Sequence, residues 1–115
     1  FKASIYLDAR PTAGFLTRPE YTVSHEYGHA WTLYHLTITH QKDWTPWLEI
    51  RGLTGNLLLD SSYKWMKSEM IADDYRLLFG SELAKSQANY INRDIADPRT
   101  VPGLKSWFIS EWAKA

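Results

Sequence analysis

The chain has 115 residues, 44% hydrophobic and 23% charged, a composition that fits one globular domain, residues 1–115, and excludes a disordered chain. Thirteen basic residues cancel thirteen acidic ones, so there is no electrostatic footprint for nucleic acid or an anionic membrane, and no apolar run nears the length of a membrane span. Cysteine is absent, which removes disulfides and thiolate ligands.

From the N-terminus, Lys2 to Ala9 carries Ile5 and Tyr6 in a roughly alternating pattern, which predicts a strand closed by Asp8, Pro11 and Gly14. A lone strand needs partners, either Gly14 to Thr17 or residues outside this chain. The chain starts at Phe1 rather than Met, as a mature or excised piece of a longer protein does. Thr17 and Glu20 have the spacing of a capping box, so a helix is expected from there to about Leu36. After a polar connection, Thr45-Pro46 reads as the cap and first residue of a short helix to about Arg51, stopped by Gly52 and Gly55. Ser61 or Ser62 is the expected cap of a long helix running from Tyr63 to Phe79, with Gly80 as its C′ residue. A short helix from Ser81 to about Asn92 follows. After Asp97-Pro98 and Val101-Pro102-Gly103, a closing helix carries Leu104, Trp107, Phe108 and Trp112 at helical spacing. The expected fold class is α+β and mostly α, with a short or truncated sheet. Six Trp and seven Tyr are assigned mainly to packing, with some left to line a substrate groove.

The first long helix contains His25-Glu26-Tyr27-Gly28-His29. Residues four apart on a helix share a face, so both imidazoles can reach one metal ion, and zinc suits imidazole nitrogen. Glu26 sits about a third of a turn from His25, where its carboxylate can flank the ion and act as general base without ligating it. A catalytic zinc needs a third protein ligand and an open position. Glu69 and Asp73, four apart among apolar neighbours on the second long helix, are costly there unless a positive group pairs with them. Glu69 can ligate the ion, and Asp73 can accept from the free ring N–H of a ligating histidine. His35 competes for the third position, at the spacing HExxHxxGxxH. That pattern requires a glycine where this chain has Thr32, and a β-branched residue resists the left-handed turn involved. His40, in the polar connection, is a weaker rival.

HEYGH followed by Glu69-Met70-Ile71-Ala72-Asp73 resembles the zincin metallopeptidases of the gluzincin branch, which pair HExxH on one helix with ExxxD on another. In size the chain is similar to the minimal gluzincins, and EMIADDYRLLF resembles the glutamate helix of the anthrax lethal factor catalytic domain. The resemblance implies a small zincin-like fold with an active-site helix, a glutamate helix and an edge strand that docks peptide. It also implies one Zn2+ ion held by His25, His29 and Glu69, Glu26 as general base and acid, and Asp73 supporting His25. Tyr63 is the residue expected to stabilise the oxyanion, with Tyr75 and Tyr27 as alternatives. The expected activity is therefore zinc-dependent endopeptidase action on a peptide or protein substrate, with neither nucleic acid nor membrane as partner, and this favours a secreted or extracellular setting. Only about 17 residues precede the active-site helix, fewer than zincins carry. Two other classes fit the same residues: a zinc-stapled scaffold without turnover, whose ion has four protein ligands, and a peptide-binding module without metal.

Overall fold

The computed structural model describes residues 19–32 and 43–113. The strand expected at 2–9, the cap at Thr17, His35, His40 and the side chain of Trp112 lie outside the described residues. Within them the regular structure is helical: α1 (Pro19–Thr32), α2 (Thr45–Arg51), α3 (Lys67–Phe79), α4 (Glu82–Ser86) and α5 (Leu104–Ala113), with 3-10 turns at Tyr63–Trp65 and Pro98–Thr100. The mostly α class is found, and no strand occurs among the described residues. No helix among them is long and apolar enough to cross a membrane.

The helix starts differ from the sequence expectation. Residues 63–65 form a 3-10 turn, Met66 is extended, and α3 begins at Lys67 with neither Ser61 nor Ser62 capping it. Asp60 takes that role from a distance. It adopts a positive φ of 61°, and its Oδ1 accepts the Lys67 N–H at 3.1 Å while its carboxylate pairs with the Lys67 ammonium. Asp is among the few non-glycine residues that tolerate this left-handed conformation. At α2, Trp44 holds the cap position and the Asp43 side chain accepts the Thr45 N–H at 3.0 Å, so Thr45 is the first helical residue. Gly52 closes α2 in the left-handed conformation at φ 70°, as expected of a C-terminal glycine.

Gly80 is not left-handed; its backbone is extended, at φ −68° and ψ 167°. Lack of a side chain matters there for space, since a Cβ would lie 2.5 Å from the Arg76 carbonyl oxygen and 3.2 Å from Ser24 Oγ. Ser81 then caps α4 by accepting the Ala84 N–H at 3.1 Å. That helix stops at Ser86 rather than near Asn92, because the Arg76 guanidinium takes carbonyl oxygens that a longer helix would use. Arg76 Nη1 donates to Ala84 O at 2.7 Å and Ala88 O at 3.1 Å, and Nη2 to Asn89 O at 3.0 Å.

One apolar cluster joins the helices: Trp31 from α1, Trp47 from α2, Met70, Ile71, Leu77 and Leu78 from α3, and Leu104 and Phe108 from α5, with Leu53, Trp65 and Tyr90 between them. Most described tryptophans are therefore packing residues. Trp31 lies 4.5 Å from the Phe108 ring and 5.6 Å from the Trp107 ring, tying α1 to α5. Against α3, α1 packs without a gap: a Cβ on Gly28 would fall 2.4 Å from the Ala72 carbonyl oxygen and 2.6 Å from its Cα. This glycine, between the two histidines of HEYGH, lets the helix backbones meet, and that contact brings the histidine face to the carboxylates of α3.

Candidate metal centre

α1 presents His25 and His29 on one face, with ring centroids 4.9 Å apart, and α3 presents Glu69 opposite them. His25 Nε2 lies 2.9 Å from Glu69 Oε2, and His29 Nε2 lies 3.2 Å from Glu69 Oε1. Among the described residues, these three form the group whose ligand atoms all lie within 4.8 Å of one another. Tetrahedral ligands at the usual zinc distances are separated by about 3.3 Å, which the 2.9 Å and 3.2 Å separations of Glu69 from the two imidazoles approach. Thr32, where the three-histidine pattern has its glycine, is helical as the last residue of α1, and its Oγ1 donates to the Gly28 carbonyl at 2.8 Å.

Behind His25, Nδ1 faces Asp73 Oδ1 at 3.0 Å. Asp73 is fully buried and hydrogen-bonded on both oxygens: Oδ1 also accepts from Arg76 Nε at 2.8 Å, and Oδ2 accepts from Arg76 Nη2 at 3.1 Å and the Ile91 N–H at 2.8 Å. Burial works against its charge, but the bonds from His25 and Arg76 and the Arg76 charge prevail and hold Asp73 below the ordinary carboxylate range. An ionised Asp73 fixes the proton of His25 on Nδ1 and turns Nε2 toward Glu69, the orientation a metal ligand needs. The His25 imidazole is itself pushed up to about 9: burial lowers it, and the bonds to Asp73 and Glu69 outweigh that. A cation bound here must displace the proton between His25 and Glu69.

Glu69 is half-buried; burial raises it, but bonds from His25, His29 and Tyr63 hold it well below the usual range. Tyr63 Oη donates to Glu69 Oε2 at 2.8 Å, which brings this sequence-expected residue to the site from the turn before α3. Although the residue is 62% exposed, its hydroxyl is tucked against Glu69 and pushed up by desolvation first, then by the bond to Glu69 and the charges of Glu69, Tyr21 and Glu26. Glu26, partly buried on α1, thus stands close enough for its charge to reach Tyr63, and it is not one of the three clustered donors. Tyr27 and Tyr75, the alternatives to Tyr63, lie elsewhere: with Pro19, Val23 and Phe79 they line a groove of about 560 Å³ between α1 and α3.

Sequence reasoning missed three parts of this arrangement. Arg76, spaced i+3 from Asp73, carries a legible signal, because a carboxylate and a guanidinium one turn apart on an apolar helix predict a buried pair. The Gly28–Ala72 approach and the Ile91 N–H carry none, since each depends on where another segment crosses. Asp74 was likewise unread. It is fully buried on a different face of α3 from Asp73, where Oδ2 accepts from Trp47 Nε1 at 2.8 Å and lies 3.5 Å from Arg51 Nε.

No family model, curated protein or solved structure matches this chain.

Proposed function

We propose that the chain is a zinc-dependent endopeptidase of the gluzincin kind, with His25, His29 and Glu69 holding one Zn2+ ion. The observation that carries this reading is the convergence of two helices on one donor set, with a buried, ionised Asp73 orienting His25. The donor chemistry fits: two imidazoles and one carboxylate leave a fourth zinc position for water or substrate, whereas a structural site fills all four from protein.

When bound, the ion supplies Lewis acidity, polarising the peptide carbonyl and making its water acidic near neutral pH. Glu26, one position from His25, takes the proton from the attacking water and delivers it to the amine that leaves as the C–N bond breaks. Asp73 keeps the His25 proton on Nδ1 throughout. Tyr63, whose single hydroxyl proton is donated to Glu69 Oε2 in this structure, would turn that proton to the oxygen that becomes negative as the carbonyl is attacked.

The direct test measures metal in protein purified without added metal, then hydrolysis of an unfolded protein with and without chelator. One zinc per chain with chelator-sensitive cleavage is expected. One zinc with all four ligands from protein and no cleavage would replace the enzyme with a zinc-stapled scaffold, and absence of zinc binding would remove both.

A further inference from the structure

Arg76 touches none of the three candidate zinc ligands, yet its side chain is completely buried and forms five hydrogen bonds. Two of these grip Asp73 as a fork, through Nε and Nη2. The other three run to the carbonyl oxygens of Ala84, Ala88 and Asn89, which fixes the guanidinium relative to α4 and the segment after it. The Tyr21 ring covers it, with the guanidinium carbon 4.5 Å from the ring centroid, and the same ring stacks on His25 at 5.7 Å. The guanidinium therefore meets His25 by two routes, through the Asp73 carboxylate and through the Tyr21 ring.

We propose that Arg76 is a positioning residue of the metal centre: its fork on Asp73, anchored to the carbonyl oxygens of Ala84, Ala88 and Asn89, sets the carboxylate that orients His25 toward the ion. The inference rests on the zinc reading of His25, His29 and Glu69. With the Ile91 N–H, Arg76 satisfies Asp73 from three directions before His25 contributes its own bond. The carboxylate is thus a fixed acceptor, and the imidazole adjusts to it. A lysine at 76 retains the positive charge but is a point charge on a flexible stem, with neither the planar fork nor enough donors for the same five bonds. The substitution therefore separates orientation from charge.

The test is a cycle of Arg76→Lys, Asp73→Asn and the double variant. Zinc affinity is read by competition with a chromophoric chelator, and coordination geometry from the visible spectrum of the Co2+-substituted protein. Arg76→Lys is expected to weaken zinc by about 10–100-fold and to shift the cobalt spectrum, as loss of an outer partner of a metal ligand does. If Arg76 acts through Asp73, the double variant binds zinc within about threefold of Asp73→Asn alone. Wild-type affinity with an unchanged cobalt spectrum in Arg76→Lys, or fully additive losses in the double variant, overturns the proposal. Arg76→Gln, which keeps amide donors without the charge, serves as the second variant and is held to the same two criteria. Failure of the wild-type chain to bind zinc shows in the first titration and rejects the metal centre itself, before any variant is compared.

Discussion

Asp73 and Asp74 are neighbours in the chain and equally buried, yet their surroundings differ in kind. Asp73 has four hydrogen bonds from His25, Arg76 and the Ile91 backbone, and it stays ionised. Asp74 Oδ2 accepts from Trp47 Nε1 at 2.8 Å and stands 3.5 Å from Arg51 Nε, and its Oδ1 has no hydrogen-bond partner among the described residues. Burial accordingly pushes Asp74 up to about 7, against the opposing Arg51 charge and the bonds from Tyr90 and Trp47. One step along a helix turns a side chain by about 100°, which gives these carboxylates different faces of α3. One side carries the candidate chemistry, and the other ties α2 to the core. The contrast shows that a buried carboxylate on an apolar helix keeps its charge where donors saturate it, and loses it where they do not.

The largest effect expected on the histidine side is kinetic. Glu26→Gln should lower peptide hydrolysis by about 10²–10⁴-fold while zinc stays at one ion per chain, because the proton carrier is lost and the ligands are not. Full activity in that variant would sink the mechanism. On the other side the large effect is on stability. Trp47→Ala empties a fully buried site and strips Asp74 of its close donor, so urea unfolding should show a loss of about 3–5 kcal/mol. Zinc affinity of the folded protein should stay within threefold of wild type; a larger change would mean that the two sides of α3 are coupled.

Gly28→Ala joins the two sides, since its Cβ would strike the α3 backbone at Ala72. Forcing the helices apart should destabilise by about 1–3 kcal/mol and weaken zinc binding together, read by thermal unfolding with and without metal. Unchanged affinity would show that the separation of α1 and α3 does not set the ligand geometry.

The smallest effect is the pH dependence of the metal-depleted protein. Asp74, raised from 3.8 to about 7, contributes stability that is full below 3.8 and lost as pH rises through 7. His25, raised from 6.5 to about 9, acts in the same direction at higher pH. Asp73, lowered, contributes stability that is present above 3.8 and lost as pH falls below that value. Chelator-treated protein should therefore be most stable at about pH 4 and weaken from there to about pH 7 through Asp74 and on to about pH 9 through His25. Asp74→Asn should flatten the part below about pH 7 while leaving the loss between 6.5 and about 9 that belongs to His25. A decline of the same size in Asp74→Asn would assign it to another group.

Much of the candidate site was legible because it is written in local spacing. His25 and His29 at i, i+4, and Glu69 and Asp73 at i, i+4, need only helices to define their faces, and helices follow from short-range pattern. Tyr63 was less secure. It reaches Glu69 because the chain makes a 3-10 turn and an extended residue before α3, whereas a helix continuous from Tyr63 was expected. Gly80 suits a C′ position by residue type, but its neighbours make it a close-approach position.

The sequence by itself determined which groups of this protein could share a metal, since ligand type and helical period are both local properties. Only the tertiary structure decided that those groups meet. The Gly28–Ala72 contact sets how closely α1 approaches α3, and the Arg76 fork aligns Asp73 behind His25. Tertiary structure also decided that Asp74, identical in type and next in the chain, faces Trp47 and Arg51 instead. The physical reason is that a carboxylate's charge state and direction depend on which donors and how much water surround it, and distant segments supply both.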